Sequence, residues 1–248
     1  MKFILTKFFL IIVFVFFGCK SSNKSSAKEK IEYNLIAQEL QNRGYYVKIN
    51  TVKYFYSVVT AYPKTSILED DLKKICALPN LSHINIENEN LTESFFDYLN
   101  NCDLTSLEYI NLKNVKLREG ILCDFNGSKS EDLYLHLTKT NVGDIDFNCI
   151  AKFNAIQQLS LEGPNQKFSD DIFCNLANSN LKLKSLHLRN LQISDKFMKC
   201  LIELKDIQTF GFKKIKGRTA NDMKKLEDLY FKKNGRKVTV DVFEYDSP

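Results

Sequence analysis

The chain has 248 residues, 44% of them hydrophobic and 26% charged, and its nine Gly and four Pro exclude a collagen-like or Pro/Gly-rich disordered protein. That is enough chain and enough apolar content to bury a core. The first eighteen residues hold two lysines and no acid; without them 33 basic residues face 30 acidic ones, and a net charge of +3 excludes a nucleic-acid-binding balance.

At the N-terminus, Lys2 and Lys7 precede an apolar run from Phe8 to Phe17, followed by Gly18 and Cys19. A basic start, a short apolar stretch and a small residue describe an export signal, because a membrane span needs about 20 apolar residues. Phe16-Phe17-Gly18-Cys19 resembles the lipobox of bacterial lipoproteins. The resemblance implies that residues 1–18 are a lipoprotein signal peptide and that Cys19 is lipidated and becomes the mature N-terminus. Phe at the two outer positions departs from the commonest Leu-Ala/Ser pattern, and a plain secretory signal or an uncleaved anchor is the alternative. Residues 20–30 carry no apolar side chain larger than Ala, so residues 19–30 are expected to form a flexible tether.

Residues 31–77 are expected to be an N-terminal cap and a degenerate first repeat. Glu29 to Arg43 is an amphipathic helical stretch ended by Gly44, Tyr45 to Val59 is rich in strand formers, and Leu68 to Cys76 is helical.

A repeat follows over residues 78–217. Leu78-Pro-Asn-Leu81-Ser-His-Ile84-Asn-Ile86 returns as Leu104-Thr-Ser-Leu107-Glu-Tyr-Ile110-Asn-Leu112, and its frame recurs at Phe153, Ile156, Leu159, Leu161 and at Leu204, Ile207, Phe210, Phe212. Leu135-His-Leu137 and Leu183-Lys-Ser-Leu186-His-Leu188 are partial copies. Positions 84, 110, 135, 159, 186 and 210 are spaced by 26, 25, 24, 27 and 24 residues. After each comes a stretch with apolar residues at the first, fifth, sixth and ninth places, a helical stripe: Leu91 to Leu99, Phe168 to Leu176 and Ile193 to Leu201, with Leu117 to Phe125 and Val142 to Ile150 following loosely. Thr92, Ser169 and Ser194 stand where N-caps are needed. Each unit therefore reads as a short strand, a tight turn and a helix of two to three turns. Neither half buries its apolar face alone; stacked copies bury both.

This pattern resembles the leucine-rich-repeat family, in particular bacterial repeats of the form Leu-x-x-Leu-x-Leu-x-x-Thr-x-Val-Thr-Asp-x-Gly-Leu, over about residues 66 to 217. The resemblance implies an α/β fold: a curved solenoid with parallel concave strands, convex helices and caps at both ends. The usual Asn, Thr or Cys three places past the second strand Leu is here Glu89, Val115, Thr140, Pro164, Leu191 and Ile215, of which Thr140 alone matches. With two extra residues in the loop Gly163-Pro164-Asn165, the third and fourth repeats are expected to be irregular. In such a fold the residues between the strand apolars line the concave face. One column holds His83, Tyr109, Tyr134, Gln158, Ser185 and Thr209; the next Asn85, Asn111, His136, Ser160, His187 and Gly211; the third Glu87, Lys113, Thr138, Glu162, Arg189 and Lys213. Tyr109, Asn111, Lys113, Tyr134, His136, Gln158, Glu162, His187 and Arg189 are the candidate ligand-binding residues, by their mix of aromatic, amide and charged groups. A merely solvated sheet face satisfies the same residues.

Residues 218–248 read as a C-terminal cap, with a helix opened by Thr219-Ala-Asn-Asp222 and closed by Asn234-Gly235, then a strand from Lys237 to Phe243. Residues 205–237 hold eleven Lys and Arg against four Asp and Glu, which suits either an anionic partner or a solvated cap.

An enzyme is not expected. His136 and His187 share a column two strands apart, roughly 9.6 Å at the usual spacing, too far to share one zinc ion. His83 falls in another column, three repeats from the nearest of them. No Ser/His/Asp set, phosphate-cradling Gly loop or H-E-x-x-H motif occurs, so neither a metal nor a cofactor is expected.

Six cysteines remain after Cys19, an even number that favours disulfides in an exported chain. Cys123 and Cys149, and Cys174 and Cys200, are each separated by 26 residues and occupy matching places in their units. A bridge across such a loop stabilises by roughly 3 kcal/mol. Cys76 and Cys102 share the spacing but not the matching places, so that bridge is disfavoured. Free thiols packed as small apolar groups remain the alternative, since parallel helices can hold Cα atoms beyond the roughly 7 Å limit for bridging.

The resulting expectation is a lipid-anchored protein of the bacterial cell envelope, at the outer membrane or cell surface, that engages a protein or glycan through its concave face. An envelope-structural or assembly lipoprotein without a dedicated soluble ligand is the alternative.

Overall fold

The computed structural model describes residues 27–50, 55–60, 67–88, 91, 94–125, 130, 132–153, 155–163 and 169–243. The export signal, Cys19, residues 19–26 of the tether, Glu89, Thr92, Pro164, Asn165 and Phe168 lie outside them.

Helix α1 (Ala27–Asn42) leads into a hairpin of β1 (Tyr45–Asn50) and β2 (Phe55–Thr60), then α2 (Glu69–Cys76). Strands and helices alternate from there: β3 (Leu81–Glu87), α3 (Phe95–Asn100), β4 (Tyr109–Lys113), a 3-10 turn (Ile121–Asp124), β5 (Leu133–Thr138), α4 (Asp144–Ile150), β6 (Ile156–Glu162), α5 (Ile172–Ala177), β7 (Ser185–Arg189), α6 (Asp195–Leu201), β8 (Thr209–Lys213), α7 (Ala220–Asn234) and β9 (Thr239–Phe243). All nine strands form one sheet in strict sequence order. β1 is antiparallel to β2, and every later neighbour pair is parallel. The chain is thus an α/β protein in which successive strand–helix units lie side by side.

The sequence places a large apolar residue at the same two levels of each strand, and the register aligns them. Ile84 pairs with Ile110, then Leu135, Leu159, Leu186 and Phe210, and a second row runs Ile86, Leu112, Leu137, Leu161, Leu188 and Phe212. All twelve side chains are buried. The helices supply the opposite wall, where Phe147, Phe173 and Phe197 form a row with ring centroids 5.8 and 4.2 Å apart. Each such side chain contributes about 1.5–3 kcal/mol when fully removed from water. The intervening strand residues are left on the helix-free face.

The turn after each strand repeats too. Asn88, Asn114, Lys139, Asn190 and Lys214 all have φ between 52 and 58°, and Gly163 at the same place has φ 125°. Asn and Gly tolerate this left-handed region best. The turn lets each residue's N–H bond the last strand carbonyl of the next unit: Asn88 to Lys113, Asn114 to Thr138, Gly163 to Arg189 and Asn190 to Lys213. One place further on, Val115, Thr140 and Leu191 are buried. Val115 and Leu191 are apolar there, whereas Thr140 is polar and its buried hydroxyl is left without a partner.

Several local expectations are corrected. Helices α3 to α6 run six or seven residues, barely two turns. Leu117 to Phe125 forms only a 3-10 turn, entered at Gly120 with φ 75°, a left-handed residue that an α-helix does not admit. Ser169 is not the N-cap, because α5 begins at Ile172 after a turn and Asp171 stands at the cap position. Ser194 does cap, accepting from the Phe197 N–H at 3.1 Å. In β5 the pairing slips between Leu133 and Tyr134.

At the N-terminal end, Asp71 is buried and takes the Arg43 guanidinium at 2.6 Å and the Tyr45 hydroxyl at 2.9 Å. At the far end, Thr219 and Asp222 form a reciprocal capping box on α7, and Gly235 ends it at φ 69°. Among the described residues, β9 has a neighbouring strand on one side only. On its free side the Val240 N–H donates to Glu227 Oε1 at 2.9 Å, and its carbonyl accepts from the Lys224 ammonium. Two side chains of α7 therefore occupy hydrogen-bonding groups that an exposed edge strand would offer to another chain.

All three cysteine pairs are bridged between neighbouring units. Cys123–Cys149 and Cys174–Cys200 have Cα separations of 4.9 and 4.6 Å. Cys76–Cys102, disfavoured on its unmatched places, is bridged as well at 4.9 Å. The mismatch is absorbed because Cys102 stands in the turn after α3 rather than on the helix, while Cys76 is the last residue of α2.

Candidate functional site

The helix-free sheet face gathers the candidate residues in three rows fixed by the parallel register. His83, Tyr109, Tyr134, Gln158, Ser185 and Thr209 form the first; Asn85, Asn111, His136, Ser160, His187 and Gly211 the second; Glu87, Lys113, Thr138, Glu162, Arg189 and Lys213 the third. All nine candidate binding residues share this face.

Tyr109 is the centre of an aromatic group. Its ring lies 4.8 Å from that of His136 and 5.5 Å from that of His83, both tilted. His83 was set three repeats from its nearest partner; the register puts it two strands from His136, with Tyr109 between. Tyr134, on β5 beside Tyr109, is 40% exposed and presents the most open aromatic surface of the rows.

The three imidazoles are held uncharged. Burial, with smaller electrostatic effects of His187 and Arg189 in the same direction, lowers the His136 pKa from 6.5 to about 4. Burial and then Arg189 lower His187, against a small opposing effect of Asp241. Burial is also the main cause for His83, with Lys48 adding to it and Glu108 opposing. Burial raises the Tyr109 phenol, so it too stays neutral. At neutral pH this part of the face is a set of uncharged donors and acceptors. The third row carries the charge and pairs it across strands, Lys113 with Glu87 at 3.0 Å and Arg189 with Glu162 at 4.0 Å.

His187 has a fitted neighbour that composition does not reveal. A Cβ on Gly211, one strand over, would stand 2.2 Å from His187 Nδ1. Gly211 thus leaves the space into which the imidazole leans. On its other side His187 pairs with Ser160, which is buried and separates it from His136.

Among the described residues, no group of three or more His, Cys, Asp or Glu is arranged to hold a metal ion, and no helix is long and apolar enough to cross a membrane. No family model matches this chain, and no curated protein does either. The face itself therefore carries the functional argument. It can stack a planar or ring-shaped group on Tyr109 and Tyr134, and offer uncharged hydrogen bonds from His136, His187, Asn111 and Gln158 beside one guanidinium.

Sequence reasoning found the rows but not three features: the tilted contacts of Tyr109 with His83 and His136, the Gly211 opening, and the left-handed column. Only the last had a sequence signal, the recurrence of Asn or Gly two places after the second strand apolar.

Proposed function

We propose that this chain is a leucine-rich-repeat solenoid with capped ends, held at the bacterial cell envelope through an acylated Cys19, that binds a glycan or protein ligand on its concave strands. Sequential parallel strands, short helices on one side and a repeated left-handed turn support the repeat reading. The lipobox-like Gly18-Cys19 supports the anchor.

One observation carries the binding reading: the Tyr109 and His136 rings, 4.8 Å apart, lie on the helix-free face beside imidazoles that burial keeps neutral. A sugar ring needs an aromatic plane and uncharged hydrogen bonds, so glycans rank first. Replacing Tyr109, Tyr134 and Arg189 together by Ala removes the aromatic area and the guanidinium fork, the residue types that dominate hot spots. On an oligosaccharide array the parent chain should bind, and the folded triple variant should lose capture. Equal capture by both would overturn the reading. For the anchor, a fatty-acid probe should label the parent and not Cys19→Ala; unchanged labelling rules that site out.

A further inference from the structure

The three disulfides tie the chain unevenly. Cys76–Cys102 joins the unit of α2 to that of α3, Cys123–Cys149 joins the unit of the 3-10 turn to that of α4, and Cys174–Cys200 joins the unit of α5 to that of α6. Each of these units is bridged to one neighbour and not to the other, so three two-unit blocks result. Among the described residues, no bridge crosses from α3 to the 3-10 turn or from α4 to α5. When units are stacked in a row, each touches only its neighbours, and stability is a sum over the units and the interfaces between them. A covalent tie across one interface and none across the next makes those interfaces unequal.

The unbridged interface between β5–α4 and β6–α5 differs from its neighbours in further ways. Strand pairing slips there, between Leu133 and Tyr134, whereas β3–β4, β4–β5, β6–β7 and β7–β8 pair without a shift. Phe147 and Phe173 meet across it with ring centroids 5.8 Å apart, against 4.2 Å for Phe173 and Phe197 across the bridged interface that follows. On its β5 side, Thr140 buries a hydroxyl without a partner, a cost that Val115 and Leu191 avoid in their units. The cross-strand ion pairs of the sheet face lie elsewhere, Glu87–Lys113 across β3–β4 and Glu162–Arg189 across β6–β7. The divide runs through the candidate ligand face. Tyr109, Tyr134 and His136 ride on the block of β4 and β5, and His187 and Arg189 on that of β6 and β7.

We propose that the chain parts at this interface, the bridged blocks on either side moving as units, so that the ligand face opens and closes between β5 and β6. The parting rests on the fold and its bridges; its use in binding rests on the ligand face proposed above.

Native-state amide exchange of the full mature chain, read residue by residue by NMR, tests it. Leu133 and Lys139 donate their N–H groups across the unbridged interface, to the carbonyls of Ala155 and Glu162. Lys184, bonded to Gln157, and Gly163, bonded to Arg189, hold the matching places across the bridged β6–β7 interface, and Asn114, bonded to Thr138, does so across β4–β5. After correction for intrinsic rates, Leu133 and Lys139 should exchange at least about tenfold faster than those three amides. Equal rates would overturn the proposal. Replacing Cys174 and Cys200 together by Ser should bring Lys184 and Gly163 up to the rate of Leu133 and Lys139 and leave Asn114 unchanged. Equal acceleration of all five amides would mean that the chain opens as one unit, and would overturn it too. The strongest oligosaccharide from the array should slow Leu133 and Lys139 more than Asn114, because a ligand seated on both blocks selects the closed state. Capture without that slowing would overturn the link between parting and binding, whereas an array without capture counts against the glycan reading alone and leaves the comparison of exchange rates to decide the parting.

Discussion

Replacing Gly211 by Ala tests how the His187 ring is seated. Ala is normally the better strand residue, because Gly loses more backbone freedom on folding; that difference favours Ala by about 0.5–1 kcal/mol. Here the new Cβ would stand 2.2 Å from His187 Nδ1 and 3.0 Å from Cε1, so the imidazole has to leave its place. Overpacking of this kind costs about 1–3 kcal/mol. The half-buried ring has room to turn, which favours the middle of that range, and the net expectation is a loss of about 1 kcal/mol. In a His187→Ala background the clash is gone and the same substitution should stabilise by about 0.5–1 kcal/mol. Urea unfolding of the four proteins, with disulfides intact, closes the cycle with a coupling of about 2 kcal/mol. A second readout is the His187 titration. Burial lowers its pKa, so displacement in Gly211→Ala should return it toward the ordinary 6.5. Equal destabilisation by Gly211→Ala with and without His187 would refute the reasoning.

Other consequences follow from the same structure. Thr140→Val should stabilise by about 1 kcal/mol in urea unfolding, because the buried hydroxyl has no partner and Val already occupies the counterpart position 115; destabilisation would mean that the hydroxyl is bonded in solution. Replacing Cys123 and Cys149 together by Ser should cost about 3 kcal/mol, since the bridge closes a loop with a sequence separation of 26, and no loss of stability would contradict that bridge. His136 binds its proton at pH about 4 when folded, against 6.5 for an ordinary histidine, so the unfolded chain protonates first as pH falls. Stability is therefore fully present above pH 6.5 and is lost progressively toward pH 4. His187 and His83, shifted in the same direction, add to this loss. Unfolding at pH 7 and pH 5 should show a smaller drop for His136→Gln than for the parent, and equal drops would contradict the burial of that imidazole.

The repeat frame was legible because burial on one sheet face imposes a period of two and burial of a helix stripe imposes another. The apolar rows ending at Phe210 and Phe212 and the three polar rows that alternate with them could be read by counting. Local geometry was less so. Nothing in the pattern of Leu117 to Phe125 separates an α-helix from the 3-10 turn found, since the difference rests on one left-handed residue, Gly120. Ser169 carries the right chemistry for a cap, but the helix starts two places later, at Ile172 after a turn with Asp171 at the cap position, a shift of boundary that the apolar stripe does not reveal. Matching repeat places misjudged Cys76–Cys102 because a turn can bring a cysteine to its partner as well as a helix does. The site was half legible: the register gave its members, whereas the Tyr109 ring contacts and the neutral histidines depend on burial and distances that sequence does not carry.

The central claim is that the helix-free face is where a ligand sits. Hydrogen–deuterium exchange of the mature chain, with and without the strongest oligosaccharide from the array, tests it directly. The account predicts protection confined to Tyr109–Lys113, Leu133–Thr138, Ile156–Glu162 and Ser185–Arg189, with α3 to α6 unchanged. Protection on those helices with the four strands unaffected would contradict it.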